Sequence, residues 1–110
     1  MPRALVFNVK NQTITKDPSC DFSGLVAESS GYLEAKFNFS EDWDGCVKVV
    51  GFFAKDGKEF PPCALSKDNI CNIPDEAVMY HEFDIRVYGR RNGYFITTRP
   101  ITIKQYGGIR

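Results

Sequence analysis

The sequence has little of what catalysis or metal binding requires. Histidine occurs once in 110 residues, as His81, and the four cysteines form no C-x-x-C pair. A structural zinc site needs clustered Cys and His ligands, and a nucleophile needs an adjacent base, but no glycine-rich phosphate loop, G-x-S-x-G or H-E-x-x-H motif is present. We therefore expect no enzyme activity, no metal site and no cofactor, and we interpret the cysteines as free thiols.

The sequence also lacks net charge and long apolar runs. Its 14 basic and 14 acidic residues balance to zero. Nucleic-acid-binding proteins neutralise phosphates with an excess of Lys and Arg, so we expect no nucleic-acid partner. No apolar run approaches the ~20 residues that cross a bilayer, and residues 1–5 do not lead into a signal-peptide core. We accordingly expect no membrane partner and no export by the general secretory route.

Aromatic residues, by contrast, are abundant, with nine Phe and five Tyr. Their flat rings suit pleated strands. Apolar and polar residues alternate at 5–9, 32–39 and 83–88, which predicts strands with one buried face, and residues 47–54 form a further apolar stretch. Asn92-Gly93, between two β-like segments, predicts a hairpin. One short helical turn is expected near residues 75–80, after Pro74 and with acidic residues at its start.

These signals predict one all-β domain over residues 1–110. About seven to eight short strands with frequent turns, and no long amphipathic helix, are typical of an antiparallel β-sandwich, Ig-like or jelly-roll-like. A small barrel fits the same pattern, because periodicity does not encode strand order. A second hairpin is expected at Ser66–Asn69, and a disulfide between Cys63 and Cys71 would be compatible with it if their Cα atoms lie within ~7 Å. Residues 106–110 are expected to be loose.

The only tryptophan, Trp43, lies in an acidic turn with Glu41, Asp42 and Asp44. An exposed Trp would stack on a sugar or anchor a partner. A buried Trp would plug one end of the sandwich, and this interpretation is favoured because the preceding strand ends in Phe39. The three carboxylates lack a complete calcium loop, which favours a solvated turn.

Arginine and tyrosine are concentrated around the hairpin predicted at Asn92-Gly93. A basic, aromatic surface of this kind binds anions, single-stranded nucleic acid or an acidic protein face. The alternative is that these charged side chains occupy the solvent face of an edge hairpin and prevent aggregation. Because Trp, Tyr and Arg dominate binding hot spots, the candidate interface residues are Trp43, Tyr88, Arg90, Arg91, Tyr94 and Arg99.

The order of several motifs resembles a known protein family. In sequence they are L-E-A-K-F-N-F-S-E-D-W-D-G (33–45), a Phe-containing strand with a D-G turn, C-N-I-P-D-E-A-V (71–78), F-D-I-R-V-Y-G (83–89) and I-T-T-R-P (96–100). Together they resemble small virion proteins of tailed phages and prophages of Gram-positive hosts. The likeness is closest to the N-terminal β-domain of baseplate upper or tail-fibre proteins, and it covers residues 5–108.

The resemblance implies a structural β-sandwich that docks onto a phage tail or another virion component. The implied partners are other virion proteins and further copies of the chain in a homo-oligomer, and the implied location is the virion, assembled in the bacterial host cytoplasm. The family supplies no catalytic residue. Two alternatives are a carbohydrate-binding module for a host-surface glycan, with Trp43 and Tyr32 stacking on sugars, and a phage-encoded inhibitor of a host defence protein.

Overall fold

The protein is a β-sandwich of two sheets. In the computed structural model, which describes residues 2–110, there are nine strands, a single 3₁₀ turn (Glu41–Trp43) and one α-helical turn, α1 (Asp75–Val78). The all-β prediction is confirmed, with nine strands in place of seven or eight, and α1 lies within the predicted range. The strands are β1 (Arg3–Lys10), β2 (Thr13–Lys16), β3 (Leu33–Phe39), β4 (Val47–Phe53), β5 (Cys63–Ala64), β6 (Ile70–Asn72), β7 (Glu82–Arg91), β8 (Tyr94–Thr97) and β9 (Ile101–Lys104).

Strand β7 organises the second sheet. The first sheet has the order β2-β1-β3-β6, and the second has the order β5-β4-β7-β8, with β9 also paired to β7. The first half of β7 pairs with β9 and the second half with β8. Pro100 lies between β8 and β9 and cannot donate a backbone hydrogen bond to a strand ladder. The chain therefore leaves β7 after β8 and pairs with it again in β9.

One strand pair differs from the predicted antiparallel arrangement, and one predicted hairpin is absent. Strands β1 and β3 run parallel, from Arg3 opposite Leu33 to Val9 opposite Phe39. Alternation fixes the face that a residue occupies but not the direction of its strand, so this pair was not predictable from the pattern. The turn at 66–69 is also not a hairpin, because β5 pairs with β4 in one sheet whereas β6 pairs with β3 in the other.

The core lies between the sheets and contains the apolar residues of the alternating segments. The rings of Phe7 and Phe37 in the first sheet stack with centroids 5.3 Å apart. The second sheet contributes inward side chains from the middle of β4 and β7. The largest fully buried side chains are Trp43, Phe7, Phe37, Phe52, Phe83, Leu5, Ile85, Ile103, Val9, Val50, Val87 and Thr98.

The segment after β9 is anchored, which corrects the expectation that residues 106–110 are loose. The Tyr106 amide donates to the Leu25 carbonyl at 2.7 Å, and the Ile109 amide donates to the Met79 carbonyl at 2.9 Å. Gly108, between them, has a φ of +87° and packs too closely against its neighbours for a side chain. A tight approach of the backbone therefore requires glycine at position 108.

Candidate interaction surface

Trp43 is part of the core and not of the surface. Its side chain has 0% exposure, its Nε1 donates to the Asn11 carbonyl at 2.8 Å, and its ring centroid lies 5.2 Å from that of Phe39. The buried-plug interpretation is confirmed. Trp43 is consequently wrong as a contact residue, because a buried indole offers no face to a sugar or to a partner.

Arg91 and Tyr94 hold the Trp43 turn in place. The Arg91 Nη1 donates to the Asp44 carbonyl, and the Arg91 guanidinium lies 4.1 Å from the Tyr94 ring centroid. The Tyr94 hydroxyl donates to the Asp42 carbonyl at 3.0 Å. These contacts attach the 3₁₀ turn to the β7–β8 hairpin. The side chains of Arg91 and Tyr94 therefore stabilise the fold.

Tyr88 and Arg90 lie on the outer face of the second sheet. Their neighbours Val87 and Gly89 are buried, and alternate residues of a strand point to opposite faces. Arg99 is exposed in the connection between β8 and β9, where its amide donates to a carbonyl of the β1–β2 turn, and it lies outside the strands of this face. Of the six candidate residues, the structure thus brings two together on one exposed surface.

Four residues outside the six candidates complete this surface, and one of them is Arg86, which alternates with buried residues of β7. Strand register places Val47 and Phe95 on either side of Arg90, and Val49 opposite Tyr88. Val47 is 71% exposed and Phe95 is 57% exposed. A shallow depression of about 410 Å³ is lined by Val47, Val49, Tyr88, Gly89, Arg90 and Phe95. We refer to the outward side chains Val47, Val49, Arg86, Tyr88, Arg90 and Phe95 as the β4–β7–β8 face.

Aromatic and guanidinium groups stack on one another across this face. The rings of Tyr88 and Phe95 stack with centroids 6.5 Å apart. The Arg86 guanidinium lies 5.5 Å from the Tyr88 centroid, and the Arg90 guanidinium lies 5.3 Å from the Phe95 centroid. Such cation–π stacking orders both arginines, and it leaves the planar N–H edge of Arg90 available for a bidentate contact with a carboxylate.

The positive charge of this face is not neutralised within the described chain. Across residues 2–110 a single ion pair is found, between Lys55 and Asp84 at 3.2 Å. The same carboxylate accepts a hydrogen bond from the Thr102 hydroxyl at 2.6 Å, which occupies it further. Arg86 instead donates through Nε to a backbone carbonyl at 3.0 Å, and Arg90 has no carboxylate partner in that part of the chain.

Gly51 lets two aromatic rings lie across the outer side of β4. A Cβ at this position would be 2.9 Å from Cε2 of Phe53 and 3.0 Å from Cε2 of Tyr88, closer than real Cβ contacts allow. The residue is buried although it belongs to an outward position, because these rings cover it. A glycine in the strand interior, usually unfavourable, here permits a continuous apolar layer above the backbone.

The remaining functional candidates are engaged in local structure. The His81 Nδ1 lies 3.1 Å from the Gly107 carbonyl oxygen, which connects the ring to the anchored segment after β9. No group of three or more His, Cys, Asp and Glu side chains is positioned to hold a metal ion in residues 2–110. The same residues include no helix of the length and apolar character needed to cross a bilayer.

Hydrogen bonds to exposed loops lower the pKa of three carboxyl groups below the ordinary value of 3.8, and none of the three belongs to the β4–β7–β8 face. Ser19 lowers the pKa of Asp17, and Ser23 lowers that of Asp21, through side-chain and backbone hydrogen bonds. The Ser30 hydroxyl and the Gly31 amide do the same for Asp75. These three carboxylates fix loop conformation.

Comparisons of the chain with protein-family models, with curated proteins and with solved structures give no match. The feature that sets this sandwich apart functionally is its β4–β7–β8 face. On one contiguous area of sheet it combines exposed aliphatic side chains, stacked rings and two arginines that have no carboxylate partner among residues 2–110.

Proposed function

We propose that the protein is a non-enzymatic structural component of a phage virion, an attachment or decoration module of the tail, baseplate or fibre that works by protein–protein assembly. The observation that supports this best is the β4–β7–β8 face. The solvent side of an antiparallel sheet ordinarily carries polar side chains, yet Val47 and Phe95 are both more than half exposed here. Tyr and Arg, which are enriched at binding hot spots, lie beside them.

The partner of this face is a carboxylate-bearing, partly apolar surface of another virion protein. Charge complementarity supports this choice, because Arg86 and Arg90 have no carboxylate partner within residues 2–110. A second copy that met this face through a two-fold axis would set arginines near arginines, which is unfavourable. The homo-oligomer implied by the family resemblance would therefore form through a different surface.

The observed burial of Trp43 favours a protein partner over a glycan. Sugar-binding modules stack the pyranose ring on an exposed aromatic platform, and the tryptophan proposed for that role has 0% exposure. Tyr32, the second stacking candidate, is 46% exposed, but with Trp43 buried it is the one ring left of the pair proposed to stack on sugars. A guanidinium group lies near each ring of the β4–β7–β8 face, and its positive charge favours a carboxylate over a neutral sugar.

The proposal is tested by incorporation of variants into particles. The full chain is co-expressed with tail and baseplate proteins of the phage or prophage that carries its gene, and particles are purified and examined by mass spectrometry. We expect the unchanged chain to co-purify, and Arg90→Glu and Phe95→Asp to be lost from the particles. Both side chains are exposed, so the thermal midpoint of each free variant should stay close to that of the parent.

Arg99→Glu is the matched control, because it reverses an exposed arginine outside the face. It should be incorporated normally. Arg91 is left unchanged in this experiment, since its side chain supports the Trp43 turn. Normal incorporation of Arg90→Glu and Phe95→Asp would remove the face as the docking site, and absence of the unchanged chain from particles would overturn the virion assignment itself.

A further inference from the structure

Two cysteines point into the sandwich from opposite sheets. Cys63 of β5 lies opposite Val50 of β4, and Cys71 of β6 lies opposite Ala35 of β3. Residues directly opposite each other in a ladder present their side chains to the same face. Val50 and Ala35 both have 0% exposure, so both thiols face the space between the sheets.

The two thiols are also neighbours. Strands β5 and β6 are the outermost strands of their sheets and approach each other across the open edge of the sandwich. Burial raises the pKa of the Cys71 thiol, and the adjacent Cys63 thiol raises it further, with a smaller contribution from Glu34. Both cysteines are free thiols in the structure.

We propose that Cys63 and Cys71 form an oxidation site, at which a disulfide joins the two sheets across their open edge. The oxidant is a small disulfide such as oxidised glutathione. Attack of one cysteine thiolate on it forms a mixed disulfide and releases one glutathione thiolate. Attack of the second cysteine on the protein sulfur then forms the Cys63–Cys71 bond and releases the second glutathione. Two protein thiols are oxidised and one glutathione disulfide is reduced to two thiols.

Exposure sets the order of the two steps. Cys63 is half-buried at the edge and is reached first by a solvent-borne disulfide, whereas Cys71 is 5% exposed. The buried thiol resists ionisation, so resolution of the mixed disulfide is the slower step. Its rate should rise with pH, because the reactive species is the thiolate.

The other two cysteines serve as internal controls. The Cys20 Sγ lies 3.6 Å from the Ala4 carbonyl oxygen and 3.4 Å from the Val6 amide nitrogen, beside the first sheet. Cys46 follows the Trp43 turn and is buried. Neither cysteine is on β5 or β6, so neither is expected to enter the cross-link.

Peptide mapping of the full chain tests the proposal. After incubation with oxidised glutathione and alkylation of the remaining thiols, trypsin cleaves after Lys16, Lys36, Lys48, Lys58, Lys67 and Arg86. Each cysteine then lies in its own peptide. We expect peptides 59–67 and 68–86 to appear as one disulfide-linked species, and the peptides that contain Cys20 and Cys46 to appear alkylated.

Two further readouts complete the test. The oxidised protein should show a thermal midpoint higher by roughly 5–15 °C, because the link restricts the unfolded chain. Cys63→Ser, at a half-buried edge position, should fold normally and leave Cys71 reduced. A reaction that stops at a mixed disulfide, a link that includes Cys20 or Cys46, or an oxidised protein without higher thermal stability would overturn the proposal.

Discussion

The six-membered ring of Trp43 packs against the backbone of Gly89, leaving no room for a side chain there. A Cβ on residue 89 would lie 2.7 Å from both Cε3 and Cζ3 of the indole, and 3.1 Å from Cγ2 of Ile96. The glycine of β7 is thus what allows the tryptophan to close this end of the core. The pair joins the 3₁₀ turn to the central strand of the second sheet.

Replacement of this glycine should destabilise the protein. We expect Gly89→Ala to lower the free energy of unfolding by about 1–3 kcal/mol, because the added methyl group overpacks the core at the indole. Urea unfolding followed by far-UV circular dichroism measures the change, since this signal does not depend on the tryptophan. In a Trp43→Phe background the same substitution should cost less, since the smaller ring leaves space. Equal costs in both backgrounds would show that the indole does not set the penalty.

The side chain of Gln105 should contribute more to stability than an exposed glutamine. It is 3% exposed, and its Nε2 donates to the carbonyls of Val78 and Tyr80 at 3.0 and 2.9 Å. Gln105→Ala leaves both carbonyls without this donor and should lower the free energy of unfolding by about 1–3 kcal/mol. Gln12→Ala, which removes an exposed hydrogen bond to Thr97, is the control and should have little effect. Similar unfolding midpoints for the two variants would contradict the prediction.

The carboxylate of Asp75 should make the stability of the protein dependent on acid pH. Its pKa is lowered below 3.8 by the Ser30 hydroxyl and then the Gly31 amide, at 2.7 and 3.0 Å. A lowered folded-state pKa contributes stability above the unfolded value, and this contribution is lost as the pH falls through the folded value. We expect Asp75→Asn to be less stable than the parent at neutral pH, and the difference to shrink below pH 3.8.

Chemical unfolding at a series of pH values measures this convergence. Asp68→Asn is the control, because Asp68 is exposed and its carboxylate accepts no hydrogen bond from the described chain. Its difference from the parent should stay small throughout. If the free energy of unfolding differed between Asp75→Asn and the parent by the same amount at every pH, the loss would come from the introduced amide and not from the missing charge.

Binding through the β4–β7–β8 face should weaken as salt is added. Exposed Arg–carboxylate pairs are screened over a Debye length of about 8 Å at physiological ionic strength. Loss of affinity should come mainly from slower association, because exposed charges steer the encounter between partners. Surface plasmon resonance against the co-purified virion partner measures both rates. Arg86→Gln should reduce the salt dependence, and an affinity that is independent of salt would argue against an acidic partner surface.

The sequence predicted the elements of the fold better than their pairing. Alternation at 5–9 and 83–88 located buried faces, because a strand exposes every second residue to the core. Asn92-Gly93 located the β7–β8 hairpin, because its loop is local. The parallel register of β1 with β3 depends on contacts between residues distant in sequence, and no local pattern encodes them.

The candidate site was also predicted only in part, because some of its contacts join residues distant in sequence. Tyr88 and Arg90 were named because Tyr and Arg are concentrated around the predicted hairpin and dominate binding hot spots. Arg91 and Tyr94 carry the same chemistry, but their partners are carbonyls of the 42–44 turn, a distant segment that only the fold brings near. Phe95 was within reach of the sequence, since a two-residue Asn92-Gly93 loop places it opposite Arg90.

The pairing of β1 with β3 also sets how the protein reaches its native state. These strands cannot meet until residues 11–32 have closed a loop, and the segment after β9 cannot dock before residues 25 and 79 are in place. Sheets dominated by such distant contacts fold on the order of milliseconds to seconds. During that interval the apolar side of β1 is uncovered, so the rate of strand pairing limits how long the nascent chain is prone to aggregate.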